Sequence, residues 1–303
     1  MSKQRYDQLI ADLRADFRPQ REWGEGRGLF LVIGHFFVGI AGGTWLMGTI
    51  YDVPFALVIA FLLGCLGGLA HLLFLGRPER AFGMVRHWRT SWISRGFYGL
   101  SLFLVGGVLY LPTQFFPLSG SWTVIGQLGA VLAMLGTVTI IGYMGFAYTA
   151  SKGIPFWNSP LHPALYIAYA FRGGIAVLLI VAATSGTTGA DDGLLKLWIG
   201  VTAIVAVFFA LELQGALAGG NIAARRSVRE ILAGRGALIF YGGTLVVGLI
   251  VPVLLLSMAM ATSPTAMALI GLASAAGDFF MKLSTVKAGI HIPLVPPPRR
   301  QRA

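Results

Sequence analysis

Residues 29–50 read LFLVIGHFFVGIAGGTWLMGTI, a stretch without Asp, Glu, Lys or Arg. At about 1.5 Å of rise per residue, a helix of this length crosses a hydrocarbon core about 30 Å thick. The apolar residues do not alternate with polar ones, as strands of a lipid-facing barrel would require. A helix satisfies its own backbone hydrogen bonds where no water is present, and this decides the secondary structure. Seven further long apolar stretches follow, at 53–75, 96–117, 122–149, 161–184, 193–218, 236–261 and 264–286, three of them interrupted by charged residues. The expected fold is all-α: a polytopic membrane protein with eight transmembrane helices as two four-helix bundles. Residues 29–149 would form the first bundle and 161–286 the second, flanked by an amino-terminal segment at 1–28 and a basic tail at 287–303.

Composition agrees with this reading. Of 303 residues, 56% are hydrophobic and 12% are charged, and the mean hydropathy is +0.75. Soluble domains carry about 25% charged residues, and a chain with half that fraction would leave large apolar patches bare in water. A conventional soluble enzyme is excluded, as is a disordered or disulfide-stapled chain. The single cysteine, Cys65, lies inside an apolar run. One thiol cannot form an internal disulfide, a zinc site or an iron–sulfur site, so no metal site is expected and any cluster belongs to another subunit. Residues 1–28 mix Lys, Arg, Asp and Glu without a short apolar core, so no signal peptide is expected.

The formal net charge is +11, but the basic residues cluster between apolar runs rather than along one helix face, so nucleic acid is not an expected partner. Lys3, Arg5, Arg14, Arg18, Arg21 and Arg27 precede the first run. Arg77, Arg80, Arg86, Arg89 and Arg95 follow the second, and Arg225, Arg226, Arg229 and Arg235 follow the sixth. Arg299, Arg300 and Arg302 end the tail, while the loops after runs one, three, five and seven carry no Lys or Arg. Such alternation places both termini and the basic loops on the cytoplasmic side of a bacterial or archaeal inner membrane. A docking face for an acidic partner would be basic too, and Arg77, Arg80, Arg86 and Arg89 are the candidates for it. Arg77 and Arg80 equally suit helix ends or the phosphates of membrane lipid.

Ionisable side chains in hydrocarbon are costly and point to function by default. His35 lies about 9 Å into the first run from the basic side, and His71 about 6 Å from the end of the second. Two histidines of adjacent antiparallel helices therefore share one layer, which Tyr98, Tyr143 and Tyr148 also reach. A quinone head group needs such a set, because its carbonyl oxygens accept hydrogen bonds and its reduction moves protons that histidine can exchange. Each histidine could instead bond a neighbouring backbone. A haem b between His35 and His71 is a further alternative, with no pair among His87, His162 and His291 for a second haem across the membrane. In the second half, Arg172, Glu212, Gln214, Asp278 and Lys282 interrupt apolar runs. Arg172, Glu212 and Asp278 suit either a proton or substrate path or ion pairs that hold helices together.

The approach to the second loop reads Ala70-His71-Leu72-Leu73-Phe74-Leu75-Gly76-Arg77-Pro78-Glu79-Arg80-Ala81-Phe82, followed by Thr90-Ser91-Trp92-Ile93-Ser94-Arg95-Gly96. It resembles the signature of the NrfD/PsrC family of membrane subunits, related to the anchor subunits of dimethyl-sulfoxide-reductase type. The Gly39–Gly43 run, residues 148–158 and Arg172-Gly173-Gly174 add to the resemblance, which covers nearly the whole chain. It implies a membrane subunit with no metal or haem of its own. Such a subunit exchanges electrons between the quinone pool, menaquinone or ubiquinone, and a four-cluster iron–sulfur subunit linked to a molybdopterin catalytic subunit. The quinone would lie where the first helix begins and the second ends. His35, His71 and Tyr148 resemble the family's histidines and tyrosine there. The family often carries an acidic residue or a histidine before Leu-Gly-Arg-Pro, where this chain has Phe74, so which histidine meets the ring stays open. A quinone-reactive anchor is the leading expectation, with a proton-translocating or transport protein and a haem b cytochrome as alternatives.

Overall fold

The computed structural model describes residues 3–185, 191–258 and 263–293, so Arg299, Arg300 and Arg302 lie outside the described residues. An amphipathic helix, α1 (Lys3–Arg14), precedes the first span, α2 (Leu29–Ile50). The next three spans are α3 (Pro54–Leu75), α4 (Trp92–Phe115) and α5 (Ser121–Thr149). The second half contains α6 (Leu161–Ser185), α7 (Asp191–Ala218), the short surface helix α8 (Ile222–Leu232), α9 (Ile239–Ser257) and α10 (Pro264–Lys287). Eight of these helices are long and apolar enough to cross a membrane. The eight expected runs match them to within a few residues.

Local chemistry sets the ends. Ser91 accepts a hydrogen bond from the Ser94 amide at 3.3 Å and caps α4, so this span starts at Trp92, four residues before the expected 96. Ser263 caps α10 in the same way, with Pro264 in its first turn. Gly76 ends α3 with φ +67°, a left-handed conformation that favours glycine. A carbon added at Gly76 would also fall 2.1 Å from the Arg27 guanidinium, which lies against it. Within α9, residues 239–250 are π-helical and 251–257 α-helical. The span ends at Ser257, short of the expected 261, and residues 259–262 are outside the described set.

The expected grouping into two separate four-helix bundles is not confirmed. The first four spans share a core around Trp45, Phe103 and Ile140. A second core joins Met47 of α2 and Ala56 of α3 to Ile175 and Leu178 of α6, Trp198 of α7 and Ile270 of α10. The halves meet backbone to backbone where α2 crosses α6. A carbon added at Gly43 would fall 1.7 Å from the Ala170 carbonyl oxygen, and one at Gly174 2.3 Å from Gly43. Small residues on both helices permit this approach. α2 and α6 are the most enclosed of the spans.

The described basic segments gather at one end. Pro19 and Ile290 form an antiparallel bridge, with Gln20 N–H donating to Gly289 O at 2.7 Å and His291 N–H to Arg18 O at 2.8 Å. Ile292 N–H donates to Gly153 O at 3.0 Å, and Arg226 of α8 lies over Phe17. The loop at 150–160 is thereby clamped between the amino-terminal segment and residues 289–292.

Candidate functional site

Four polar side chains from three spans converge beneath this clamp. The ring centroids of His35 (α2) and His71 (α3) are 5.2 Å apart. The Tyr148 hydroxyl (α5) is 3.1 Å from His35 Nδ1, and the Tyr143 hydroxyl (α5) is 3.4 Å from His71 Nε2. His71 Nδ1 is 2.7 Å from the Gly67 carbonyl oxygen, which only accepts. His71 therefore carries its proton on Nδ1, and its Nε2 receives the Tyr143 hydroxyl. When Tyr148 donates to His35 Nδ1, the hydrogen of His35 sits on Nε2, which has no partner among the described residues. One imidazole then offers a donor to a ligand and the other an acceptor.

Two glycines make room for these rings. A carbon added at Gly34 would fall 2.6 Å from His71 Nδ1, and one at Gly96 2.3 Å from the Tyr143 ring. The four polar groups line a cleft of about 600 Å³ whose remaining wall is largely apolar, including Leu69, Leu72, Ile93, Phe97 and Leu100. Leu69, Leu72 and Ile93 are exposed on the outer surface of α3 and α4, so the cleft opens sideways where lipid would lie. At the basic end it is roofed by aromatics: Trp23 stacks on Trp157 at 5.2 Å and meets Tyr148 edge-on at 5.7 Å. The Trp157 indole donates to Thr285 O at 3.1 Å, tying the roof to α10.

Tyr98 is not part of this group. Its hydroxyl donates to Val85 O at 3.1 Å, and its side chain lies on the partly exposed side of α4. Gly96 and Leu100 share the helix face that lines the cleft, and a residue midway between them points away from it. Arg77, Arg80, Arg86 and Arg89 are all exposed at the basic end, in the loop whose Ala81 and Met84 line the cleft. None of the four is ion-paired among the described residues. Phe82 and Trp88 of the same loop are exposed as well.

The buried charges of the second half sort into two groups. The Arg172 guanidinium pairs with Asp278 and donates to Thr202 Oγ1 at 2.9 Å, Ser274 O at 3.2 Å and Gly248 O at 2.5 Å. These contacts tie α6 to α7, α9 and α10. Glu212, expected to work with Arg172 and Asp278, pairs instead with His162 at the start of α6. The expected trio is thus divided. Lys282 lies 5.3 Å over the Tyr166 ring, between the two groups.

The family model described as "Polysulphide reductase, NrfD" matches residues 27–293. The chain belongs to the NrfD family. A sulfite dehydrogenase subunit of Allochromatium vinosum is 28% identical over 180 residues, which cover 55% of this chain and 53% of that protein. The chain thus spans about half the length of that relative. Protein NrfD of Escherichia coli is 27% identical over 248 residues, 72% of this chain and 73% of that protein. The NrfD match contains the spans from α2 to α10 and the cleft's His35, His71, Tyr143 and Tyr148. This NrfD-family chain is a multi-pass membrane protein.

His162 is the residue that the sequence reading of this NrfD-family chain passed over. In the sequence it stood only as a histidine without a pair for a second haem, yet it is fully buried. The available signal was Glu212, a carboxylate in hydrocarbon that needs a partner.

Proposed function

We propose that this chain is the membrane anchor and quinone-reactive subunit of a multi-subunit oxidoreductase. It passes electrons between the quinone pool and an iron–sulfur subunit linked to a molybdopterin catalytic subunit, with the basic end facing the cytoplasm. The observation that carries this reading is the His35–Tyr148 and His71–Tyr143 pairing at the head of an apolar, laterally open cleft. Ligand sites are mostly apolar with a few convergent polar groups, and about 300–1,000 Å³ in volume. Room for a ring and the start of an isoprenoid tail is thus present, and the opening faces the bilayer in which such a substrate dissolves.

The chemistry follows from the tautomers. His35 Nε2–H donates to a ring carbonyl of the oxidised substrate, while His71 Nε2 accepts from a ring hydroxyl of the reduced one. Tyr143, held by a long bond to His71, can turn to the same oxygen. The exposed Arg77, Arg80, Arg86 and Arg89 beside the cleft offer an acidic iron–sulfur partner a complementary surface.

The test replaces His35 or His71 with Leu in the assembled complex and compares quinol-linked with dye-linked activity. The expected result is a loss of about 100-fold in quinol-linked turnover with dye-linked activity retained. Unchanged quinol kinetics in both variants would remove the reading.

A further inference from the structure

A quinone ring gains or loses a proton with each electron, and the aromatic roof separates His35 and Tyr148 from water at the basic end. The protons therefore need a protein route. Tyr148 has a second set of neighbours in α6. Its ring centroid lies 5.7 Å from His162 and 5.3 Å from Tyr166, and His162 stacks on Tyr166 at 5.2 Å. His162 Nδ1 is hydrogen-bonded to Glu212 Oε1 of α7, and both side chains are buried. His162 Nε2 and Glu212 Oε2 are enclosed without a partner among the described residues. Buried polar atoms normally have partners, and such orphans mark a role or room for water.

The titratable surroundings belong to the same layer. Tyr148 faces the pair from α5, Tyr166 and Tyr169 from α6, and Lys282 from α10 across the Tyr166 ring. His35 joins from α2 through Tyr148. Asp278 is occupied by Arg172 and stands beyond Tyr169. Glu212 is about six residues, roughly 9 Å, from the end of α7 at Ala218, and His162 is the second residue of α6. Both ends of this line lie toward the basic end of the molecule.

We infer that His162 and Glu212 form the proton relay of the cleft, joining the His35–Tyr148 pair to the basic end. The inference rests on the quinone reading. In the reducing direction, each electron supplied by the iron–sulfur partner is matched by one proton. The His35 Nε2–H bond breaks as a ring O–H bond forms, and the Tyr148 O–H bond breaks as His35 Nδ1–H forms. His162 restores the Tyr148 hydroxyl from Nε2 by way of one bridging water and takes the Glu212 carboxyl proton on Nδ1. Glu212 is left as the carboxylate; its reloading from the basic end and the return of both imidazoles to the Nε2–H tautomer ready the path for the second proton. Oxidation runs the same bonds in reverse, with the electron returned to the iron–sulfur partner. Protons enter and leave on the face that carries the arginine loop, so this route moves no proton across the membrane.

The experiment uses the intact complex, with quinol-linked turnover measured against pH for the wild type, Glu212→Gln and Glu212→Asp. Glu212→Gln should lower quinol-linked kcat about tenfold, leave KM unchanged and flatten the pH profile. Glu212→Asp should recover most of the turnover, and dye-linked activity should stay constant throughout. A Glu212→Gln complex with wild-type kcat and pH profile overturns the inference. Redox-induced infrared difference spectra of the wild-type complex supply a readout that needs no variant. A carboxyl C=O band should change as the quinone is reduced, and its absence overturns the relay even if the variants do not assemble. A wild-type complex with dye-linked but no quinol-linked activity would instead sink the quinone reading itself.

Discussion

Gly34 and His71 compete for one volume: the carbon that alanine would add at 34 falls 2.6 Å from His71 Nδ1. The imidazole cannot retreat easily, because the same nitrogen is held by the Gly67 carbonyl one turn earlier in α3. Gly34→Ala should therefore displace the ring at a cost of about 1–3 kcal/mol, the usual range for overpacking. Quinol-linked turnover should fall about tenfold or more for a 1.4 kcal/mol misplacement. The measurement is turnover in membranes that contain wild-type amounts of the chain, and full activity would show that His71 does not serve the cleft.

Gly76 is required for two separable reasons. Alanine there must hold a left-handed backbone, at about 1–2 kcal/mol, and must also push aside the Arg27 guanidinium. Gly76→Ala should lower the melting temperature in detergent. Adding Arg27→Ala should recover the crowding part and leave the backbone part. A double-mutant cycle reads the split, and strict additivity of the two changes would contradict it.

The Arg172 guanidinium is held by Asp278, Thr202, Ser274 and Gly248, and lysine cannot reproduce its planar fork. Arg172→Leu should destabilise the protein by about 3–5 kcal/mol, since it strands Asp278 in the interior. Replacing Arg172 and Asp278 together with Met and Leu should recover part of that loss. Thermal unfolding in detergent measures both. A path for protons through this pair predicts the opposite: normal stability with altered proton coupling.

His291 stands outside the spans, in the clamp over the cleft. Burial pushes its pKa below the usual 6.5, the Arg18 charge lowers it further, and Glu22 opposes with a smaller effect. The folded chain thus binds fewer protons than the unfolded chain between the lowered pKa and about 6.5. Stability contributed by neutral His291 is present above that window and declines as pH falls through it. Trp23 and Trp157 fluorescence should report an earlier loss of the clamp on acidification, and His291→Gln should flatten that response. A wild-type clamp equally stable at pH 5 and pH 7 would contradict the shift.

The spans were legible because long runs nearly free of charge, matched to hydrocarbon thickness, leave little choice, and the His35–His71 layer followed from counting residues inward. Span four of the chain order, α5, and the two central helices matched closely. The start of α4 was missed because Arg95 reads as loop, whereas Ser91 caps a helix that carries the arginine, whose guanidinium turns back to the Trp88 and Arg89 carbonyls. The π-helical 239–250 had no signature in residue type. Tyr98 was assigned by depth alone, and depth does not say which way a helix face points. The division of Arg172, Glu212 and Asp278 into two groups depended on helix neighbours, which hydropathy does not order. Likewise, Gly43 and Gly174 were visible as small residues, but their meeting across the two halves was not.

The bridge between Pro19 and Ile290 has a bearing on biogenesis. One strand of it is made before any span enters the bilayer and the other only after the last has been synthesised. The imidazoles and phenols are thus left uncovered throughout insertion, and the covering closes only in a chain translated past residue 290.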